Sequence, residues 1–182
     1  MVKTKSVLII TIITGFLLGS LHAAELSTEA KTKLEAKIAS IKSLGSDPEI
    51  VKVVKEYNIN PPAAYKDMTN DQWKTLSIMS QDVRAFSKNT IAVYVKTKID
   101  KSVSEVFISA ANGCKVAFLS KPSSWSHKGK PKHDLPMTGK FWIGEVEVDE
   151  STGIQAIQVS VPILDGAKPI GSIVFGFNVT SL

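Results

Sequence analysis

The chain has 182 residues, of which 43% are hydrophobic and 21% charged, with a single cysteine. This composition fits one globular domain and excludes a disordered chain, a collagen, a disulfide scaffold and a polytopic membrane protein. The formal net charge is +5, yet Arg84 is the only arginine among the 22 basic residues. Because arginine supplies the bidentate contacts to guanine and phosphate, a nearly all-lysine balance argues against nucleic acid as a partner.

The N-terminus has the three-part pattern of a secretory signal. Lysines precede an apolar run over residues 7–21, and small residues follow it. The run is shorter than the ~20 residues that a membrane-spanning helix needs. We therefore predict a signal peptide over residues 1–24, cleaved near Ala23 or Ala24. The mature protein is then periplasmic or secreted, with no stable membrane insertion; an uncleaved anchor is the alternative.

Residues 25–68 are predicted to form an N-terminal helical segment. A first helix begins at Ser27 or Thr28, which can cap it, and Gly45 closes it. A second begins at Asp47-Pro48-Glu49, where an acidic cap is followed by a proline that suits the first turn of a helix.

The next segment predicts one long helix. Thr69 and Gln72 have the spacing of a capping box, and apolar residues then recur at threes, fours and sevens. A helix over residues 71–98, with a bend allowed near Ser80, would be about 42 Å long. A helix of that length needs a sheet or a partner helix to pack on.

The second half of the chain predicts five strands, joined mostly by hairpins. Asn112-Gly113 and Asp165-Gly166 are strong turn signals. Hairpins make neighbouring strands antiparallel, so the fold class is α+β: a five-stranded antiparallel sheet with the long helix on one face, plus the extra N-terminal helices. The predicted strands cover residues 105–110, 115–120, 141–149, 154–161 and 169–179.

Side chains alternate along the last two strands, so the sheet has one apolar face and one polar face. The apolar face is a core face under the long helix. The other face is small and polar at its centre, which suits the floor of a pocket. In the fourth strand the apolar set is Ile157, Val159 and Val161, and the opposite set is Ala156, Gln158 and Ser160.

Two stretches of the chain resemble the extracellular Cache domains, PAS-like sensors also called PDC domains. The first is Glu105-Val-Phe-Ile-Ser-Ala-Ala-Asn-Gly-Cys-Lys-Val-Ala, which resembles the opening hairpin of that family. The second is Val159-Ser-Val-Pro-Ile-Leu-Asp-Gly with Pro169-Ile-Gly-Ser-Ile-Val, which resembles its closing pair of strands. The resemblance covers roughly residues 70–182, and we assign residues 69–182 to a single Cache-like domain.

The resemblance implies a PAS-like sheet with a small-molecule pocket on the face away from the long helix. Family members usually belong to chemoreceptors, histidine kinases or cyclases. This sequence shows no second membrane segment and no output module, so we expect a separate membrane-bound signalling protein to read the ligand. The amino-acid-binding subgroup carries an arginine and a tryptophan in the loop over the pocket; residues 121–140 contain Trp125 but no arginine.

That loop supplies the candidate ligand-binding residues. A tryptophan can form an apolar wall, and lysine or protonated histidine can pair with a carboxylate. We expect a small anionic or carboxylate-bearing ligand; the alternative is a solvated basic loop with Trp125 in the core. The candidates are Trp125, His127, Lys128, Lys130, Lys132 and His133 from the loop, Trp142 as a second wall, and Gln158 and Ser160 from the floor.

The sequence supports metal binding, catalysis and cofactor binding less well than it supports binding of a small anionic ligand. His127, His133 and Asp134 could meet at a metal ion, but the flanking lysines repel a cation, so we predict no metal. No catalytic or cofactor-binding motif is present, and we predict neither enzyme activity nor a cofactor. Glu145 and Glu147 share a strand face, which we interpret as an exposed acidic edge. The rival function is a ligand-free envelope protein that binds a partner through helices within residues 27–57.

Overall fold

The computed structural model describes residues 26–148 and 154–182. The predicted signal peptide and residues 150–153, which separate the third and fourth predicted strands, lie outside these residues. In the described part of the chain, no helix is both long and apolar enough to cross a membrane. The helices are α1 (Thr28–Lys42), α2 (Pro48–Ile59), α3 (Asn70–Thr75), α4 (Gln81–Ser87), α5 (Thr90–Lys96) and α6 (Pro131–Asp134). The strands are β1 (Val103–Ala110), β2 (Lys115–Phe118), β3 (Trp142–Val148), β4 (Gln155–Asp165) and β5 (Lys168–Asn178).

The five strands form one antiparallel sheet in the order β2-β1-β5-β4-β3, which confirms the predicted fold class. Both predicted hairpin turns are present. Their glycines, Gly113 and Gly166, have φ angles of 84° and 63°, a region that glycine enters without steric cost. The order places β1, β5 and β4 at the centre, while β2 and β3 are the edges.

The N-terminal helices begin where their caps predict. The Ser27 side chain accepts a hydrogen bond from the backbone N–H of Ala30 (3.1 Å), and Asp47 accepts from Glu49 (2.9 Å) at the start of α2. Both helices then bury apolar residues against the sheet. The buried residues of α1 and α2 are Leu34, Ile41, Ile50 and Val54.

The prediction of one long helix over residues 71–98 is wrong, because the segment forms three short helices. The Ser80 hydroxyl accepts from Val83 N–H (3.3 Å) and starts α4. The Asn89 side chain accepts from Ala92 N–H (2.9 Å) and starts α5, while its amide donates to Val116 O in β2 (2.9 Å). Serine and asparagine favour caps over helix interiors, and here the caps prevail over the apolar periodicity.

Because the predicted helix is broken, α3, α4 and α5 pack into two different hydrophobic clusters. The main core, as the alternation predicts, joins the apolar face of the sheet to α1, α2 and α5. A second cluster lies on the opposite face and is built largely from aromatic rings of α3, α4 and the sheet; we call it the aromatic cluster. Its buried members are Trp73, Val83, Phe86, Phe107, Phe118, Trp125 and Val174.

The central strands approach so closely at Gly171 that a side chain has no room there. A Cβ atom at this position would lie 2.4 Å from the Ser109 carbonyl oxygen and 3.0 Å from Val54 Cγ1. We expect Gly171→Ala to lower the free energy of unfolding by about 3 kcal/mol in urea titrations, because the backbone must shift. Gly166→Ala is the control, since it adds only the strain of a left-handed alanine, about 1 kcal/mol. Equal losses in the two variants would contradict the close approach.

Candidate functional site

The polar face of the sheet, opposite α1 and α2, carries the candidate site. Side chains of three adjacent strands line up across it, because Glu105 of β1 pairs with Gly176 of β5, which pairs with Gln158 of β4. The loop between β2 and β3, residues 119–141, covers the part of this face beyond the aromatic cluster. We call this surface the pocket face.

At one end of the pocket face, β2 places a lysine in the interior. Lys115 is 0% exposed, and its Nζ donates to Ser109 Oγ (3.1 Å). The same Nζ lies 2.6 Å from His127 Nδ1 and 4.8 Å from the centre of the Phe107 ring. Burial lowers the pKa of Lys115 from 10.5 to about 7, since the charged amine loses its hydration.

His127 covers this lysine from the loop. Its ring stacks on Phe107 with centroids 4.8 Å apart and an interplanar angle of 17°. Burial, together with the positive charge of nearby Lys115, lowers the pKa of His127 to about 3. The ring is therefore neutral at pH 7, and its Nδ1 can accept a hydrogen bond from the Lys115 amine.

His133 of α6 fastens the loop to the centre of the sheet. Its Nε2 lies 3.4 Å from the Ala111 carbonyl, which can only accept, so Nε2 carries the hydrogen. Its Nδ1 then accepts from the Ser172 hydroxyl at 2.8 Å. Burial lowers the pKa of His133 as well. We call Lys115, His127 and His133 the basic cluster.

At the other end of the pocket face lies an open cavity of about 430 Å³. A chain of polar contacts joins it to the loop: Lys132 Nζ donates to Gln158 Oε1, and Gln158 Nε2 donates to Glu105 Oε2 (2.7 Å). The floor at Gly176 has no side chain, and Glu105 Cβ and Ser104 Oγ lie 3.1 Å and 3.3 Å from the position that a Cβ atom would take there. The cavity is lined by Ser104, Glu105, Ser120, Lys121, Glu147, Val148, Ala156, Gln158 and Gly176.

The structure brings some of the predicted site residues together and separates others. His127, Lys132, His133 and Gln158 lie on or over the pocket face, and the Lys132 amine lies 5.7 Å from the centre of the half-buried Trp142 ring. Gln158 is the only one of the nine candidates that lines the cavity. Lys128 and Lys130 are exposed on the outer side of the loop, and Ser160 is buried, with its hydroxyl 3.4 Å from the Ile173 carbonyl.

Trp125 lies in the aromatic cluster, as the alternative interpretation of the loop had it. It is 1% exposed, and its ring centre lies 5.1 Å from that of Phe86 and 5.2 Å from that of Trp73. It does not line the cavity. We see its structural role as an anchor that holds the beginning of the loop against the sheet.

Sequence reasoning missed three residues of this region. Glu105 shares a strand face with Phe107 and Ser109, and alternation along β1 could have placed it on the polar side. Glu147, taken as part of an exposed edge, borders the cavity. Lys115 had no such signal, because a lysine beside a turn is ordinarily solvated. Within the described residues, no group of three or more histidine, cysteine or acidic side chains is arranged to hold a metal ion.

Neither a protein-family model nor a curated protein matches the chain. The chain is similar to several solved structures. The chain is similar to the Vibrio cholerae histidine kinase DctB sensor domain, with 13% identity and a TM-score of 0.49, over 84% of this chain and 53% of that one. It is also similar to the ligand-binding domain of Mlp24 with asparagine, with 14% identity and a TM-score of 0.42, over 84% and 54%.

A third similar structure is the ligand-binding domain of the Pseudomonas aeruginosa PAO1 amino acid chemoreceptor PctC in complex with GABA. It has 11% identity and a TM-score of 0.39, over 84% of this chain and 62% of that one. These neighbours are sensor and ligand-binding domains of histidine kinases and chemoreceptors. The chain spans about half the length of the first two.

Proposed function

We propose that this protein is a sensor-type domain that binds a small carboxylate-bearing molecule in the cavity of the pocket face. The observation that carries the proposal is the contact chain from Lys132 through Gln158 to Glu105, which ends in an open cavity of about 430 Å³. Ligand sites are typically concave, with a few convergent polar groups that orient the ligand.

The charges around this cavity define the ligand further. Lys121 in the wall and Lys132 at the end of the contact chain can pair with a carboxylate. Glu105 and Glu147 line the same cavity and favour a positively charged group. A molecule with a carboxylate at one end and an amino group at the other therefore satisfies both sets of side chains.

The loop between β2 and β3 can signal that the cavity holds a ligand by changing its position. Lys132 is the second residue of α6, and the ring of its neighbour His133 is hydrogen-bonded to Ser172. A ligand that displaces Lys132 from Gln158 therefore acts on the loop at this residue. We infer that the loop position differs between the free and bound forms. In this proposal residues 69–182 are the sensing domain, residues 1–24 direct export to the periplasm, and a separate membrane protein reads the loop.

Ligand binding can be tested by a thermal-shift screen of carboxylates, amines and molecules that carry both groups, with native mass spectrometry of the purified protein. A ligand at a hundredfold excess over its Kd stabilises the folded state by about 2.7 kcal/mol. Stabilisation by a molecule that carries both groups supports the proposal. An absence of any shift, together with a ligand-free native spectrum, rejects it.

Lys132→Met should weaken such a ligand tenfold or more, because a charged hydrogen bond contributes about 1.5–3 kcal/mol. Titration calorimetry with the best molecule from the screen measures the change. Lys130→Met is the matched control, since Lys130 lies two residues away on the same loop but is exposed. If both variants lose affinity equally, the effect comes from the overall charge of the loop and not from the site.

The rival function, an interaction module acting through residues 27–57, would need an exposed apolar stripe on those helices. In the described structure the apolar stripes of α1 and α2 pack on the sheet instead, with Ile50 and Val54 fully buried. No observation favours this rival.

A further inference from the structure

The outer side of β3 is the exposed edge of the sheet. All four residues of β2, the opposite edge, are buried, whereas four of the seven residues of β3 are exposed. Among the residues that the structure describes, no strand pairs with the outer side of β3. Large apolar side chains also remain accessible there: Phe141, just before the strand, is 43% exposed, Ile143 51% and Val148 56%. An exposed edge with apolar side chains favours pairing with another strand.

A bulge in β3 decides which of its side chains share a face. Ile143 pairs with Val159 of β4 and Val146 pairs with Ile157, so a step of three residues in β3 matches a step of two in β4. Val159 and Ile157 both belong to the main core, so Ile143 and Val146 lie on the apolar face together. Alternation outward from these two positions gives that face of the edge four apolar residues: Phe141, Ile143, Val146 and Val148.

This order of residues is symmetrical about the bulge, with two apolar side chains before it and two after it. Two identical strands that pair antiparallel about the bulge place Ile143 of one copy opposite Val146 of the other, and Phe141 opposite Val148. Opposed side chains of paired strands must lie on the same face of the sheet. Without the bulge, Ile143 and Val146 would lie on opposite faces, and this pairing could not form.

The charged residues of β3 are compatible with the same register. Trp142 lies opposite Glu147 of the second copy, and Glu145 lies opposite Gly144, so no two glutamates face each other. Like charges directly opposite each other destabilise a strand pair, and acidic edges often prevent pairing for this reason. A register shifted by one residue would place Glu145 opposite itself. Charge and side-chain face therefore both favour the pairing centred on the bulge.

We propose that β3 binds β3 of a second copy of this chain, so that the two sheets form one continuous antiparallel sheet. The partner is a second copy because the order of apolar residues along this edge is complementary to itself. Burial of Phe141, Ile143 and Val148 against their counterparts, together with backbone hydrogen bonds between the strands, stabilises the pair. One strand pair is a small interface, so the dimer is weak.

The pairing also brings the second copy to the rim of the cavity. Glu147 and Val148 line the cavity, and they belong to the edge strand that is paired. Trp142 lies on the pocket face, since its ring centre is 5.7 Å from the Lys132 amine that contacts Gln158. Opposite Glu147, Trp142 of the second copy therefore adds an aromatic side chain beside the cavity. This last step rests on the proposed ligand function, whereas the pairing of the strands does not.

Sedimentation velocity of the purified protein, from about 10 µM to about 1 mM, measures the association. We expect a monomer–dimer equilibrium, and Ile143→Lys should weaken the dimer tenfold or more because it places a charge in an apolar pair at the edge. Ile59→Lys is the matched control, since Ile59 is 74% exposed at the end of α2 and should not affect the dimer. A protein that stays monomeric throughout, or a dimer that the two variants affect equally, overturns the proposal.

Disulfide formation between copies tests the register. Phe141→Cys and Val148→Cys proteins are mixed and oxidised, because opposed Cβ atoms of paired strands lie about 4.5–5.5 Å apart, close to the span of a disulfide. We expect a cross-linked dimer in this mixture and no more in either variant alone than the free Cys114 gives in the unmodified protein. Glu147→Cys in place of Val148→Cys, on the other face of β3, should remove the cross-link. Equal yields from the two mixtures, or no cross-link in a dimeric sample, overturn the proposal, and neither result affects the ligand screen.

Discussion

Trp125→Ala is expected to lower the free energy of unfolding by about 3–5 kcal/mol, the cost typical of removing a large buried aromatic side chain. The ring is 1% exposed and lies within 6 Å of the ring centres of Tyr65, Trp73 and Phe86. Its removal leaves a cavity under the start of the loop and removes several edge-to-face and tilted contacts. Urea denaturation of the variant and the unmodified protein measures the difference.

Trp142→Ala is the matched control, because it deletes the same side chain from the half-buried edge strand β3. We expect a loss below about 1.5 kcal/mol, since less apolar surface leaves water on folding. The comparison separates the two interpretations of Trp125. If Trp125→Ala lowers the free energy of unfolding only slightly and also weakens ligand binding, Trp125 forms part of the wall of the ligand pocket.

Acidification is the second change with a large expected effect. The pKa of His127 is about 3 in the folded protein against 6.5 for a free histidine. Below pH 6.5 the unfolded chain binds a proton at this residue that the folded chain does not bind until about pH 3. The stabilisation is therefore fully present above pH 6.5 and is lost as the pH falls, at about 1.4 kcal/mol per unit.

From pH 6.5 to pH 4 this single group removes about 3 kcal/mol of stability. The pKa of His133 is also lowered by burial, so its contribution has the same sign. The measurement is a series of urea titrations across this range. His127→Gln, which cannot titrate, should lose about 3 kcal/mol less over the same interval than the unmodified protein. Parallel curves for the two proteins would show that His127 is not buried as a neutral ring.

The elements that were predicted correctly are those that depend on neighbours in sequence. Alternation along β4 identified the core face, and Asn112-Gly113 and Asp165-Gly166 identified the turns. Ser27, Asp47 and Thr69 marked true helix starts because a cap bonds a backbone group only two or three residues away. Of the candidate site, the loop and Gln158 could be found in the same way.

The rest was set by contacts between residues distant in the chain. The predicted long helix is interrupted at Asn89, whose amide bonds the carbonyl of Val116. The Trp73 indole donates to the carbonyl of Pro122 at 2.7 Å, which helps to fix the aromatic cluster beneath the loop. No local pattern contains the contacts to Val116 and Pro122. The caps at Ser80 and Asn89 are local, but the prediction gave more weight to apolar periodicity and so overestimated the helix.

The sequence by itself determined the α+β class, the antiparallel sheet and its polar face, because strand alternation and turn chemistry are local properties. Its lysine-rich composition also argued against nucleic acid as a partner. Only the tertiary structure decided that Trp125 belongs to the core and that Lys115 lies buried beside His127. The physical reason is that burial of a side chain depends on what packs over it, and here that cover is the loop that follows β2.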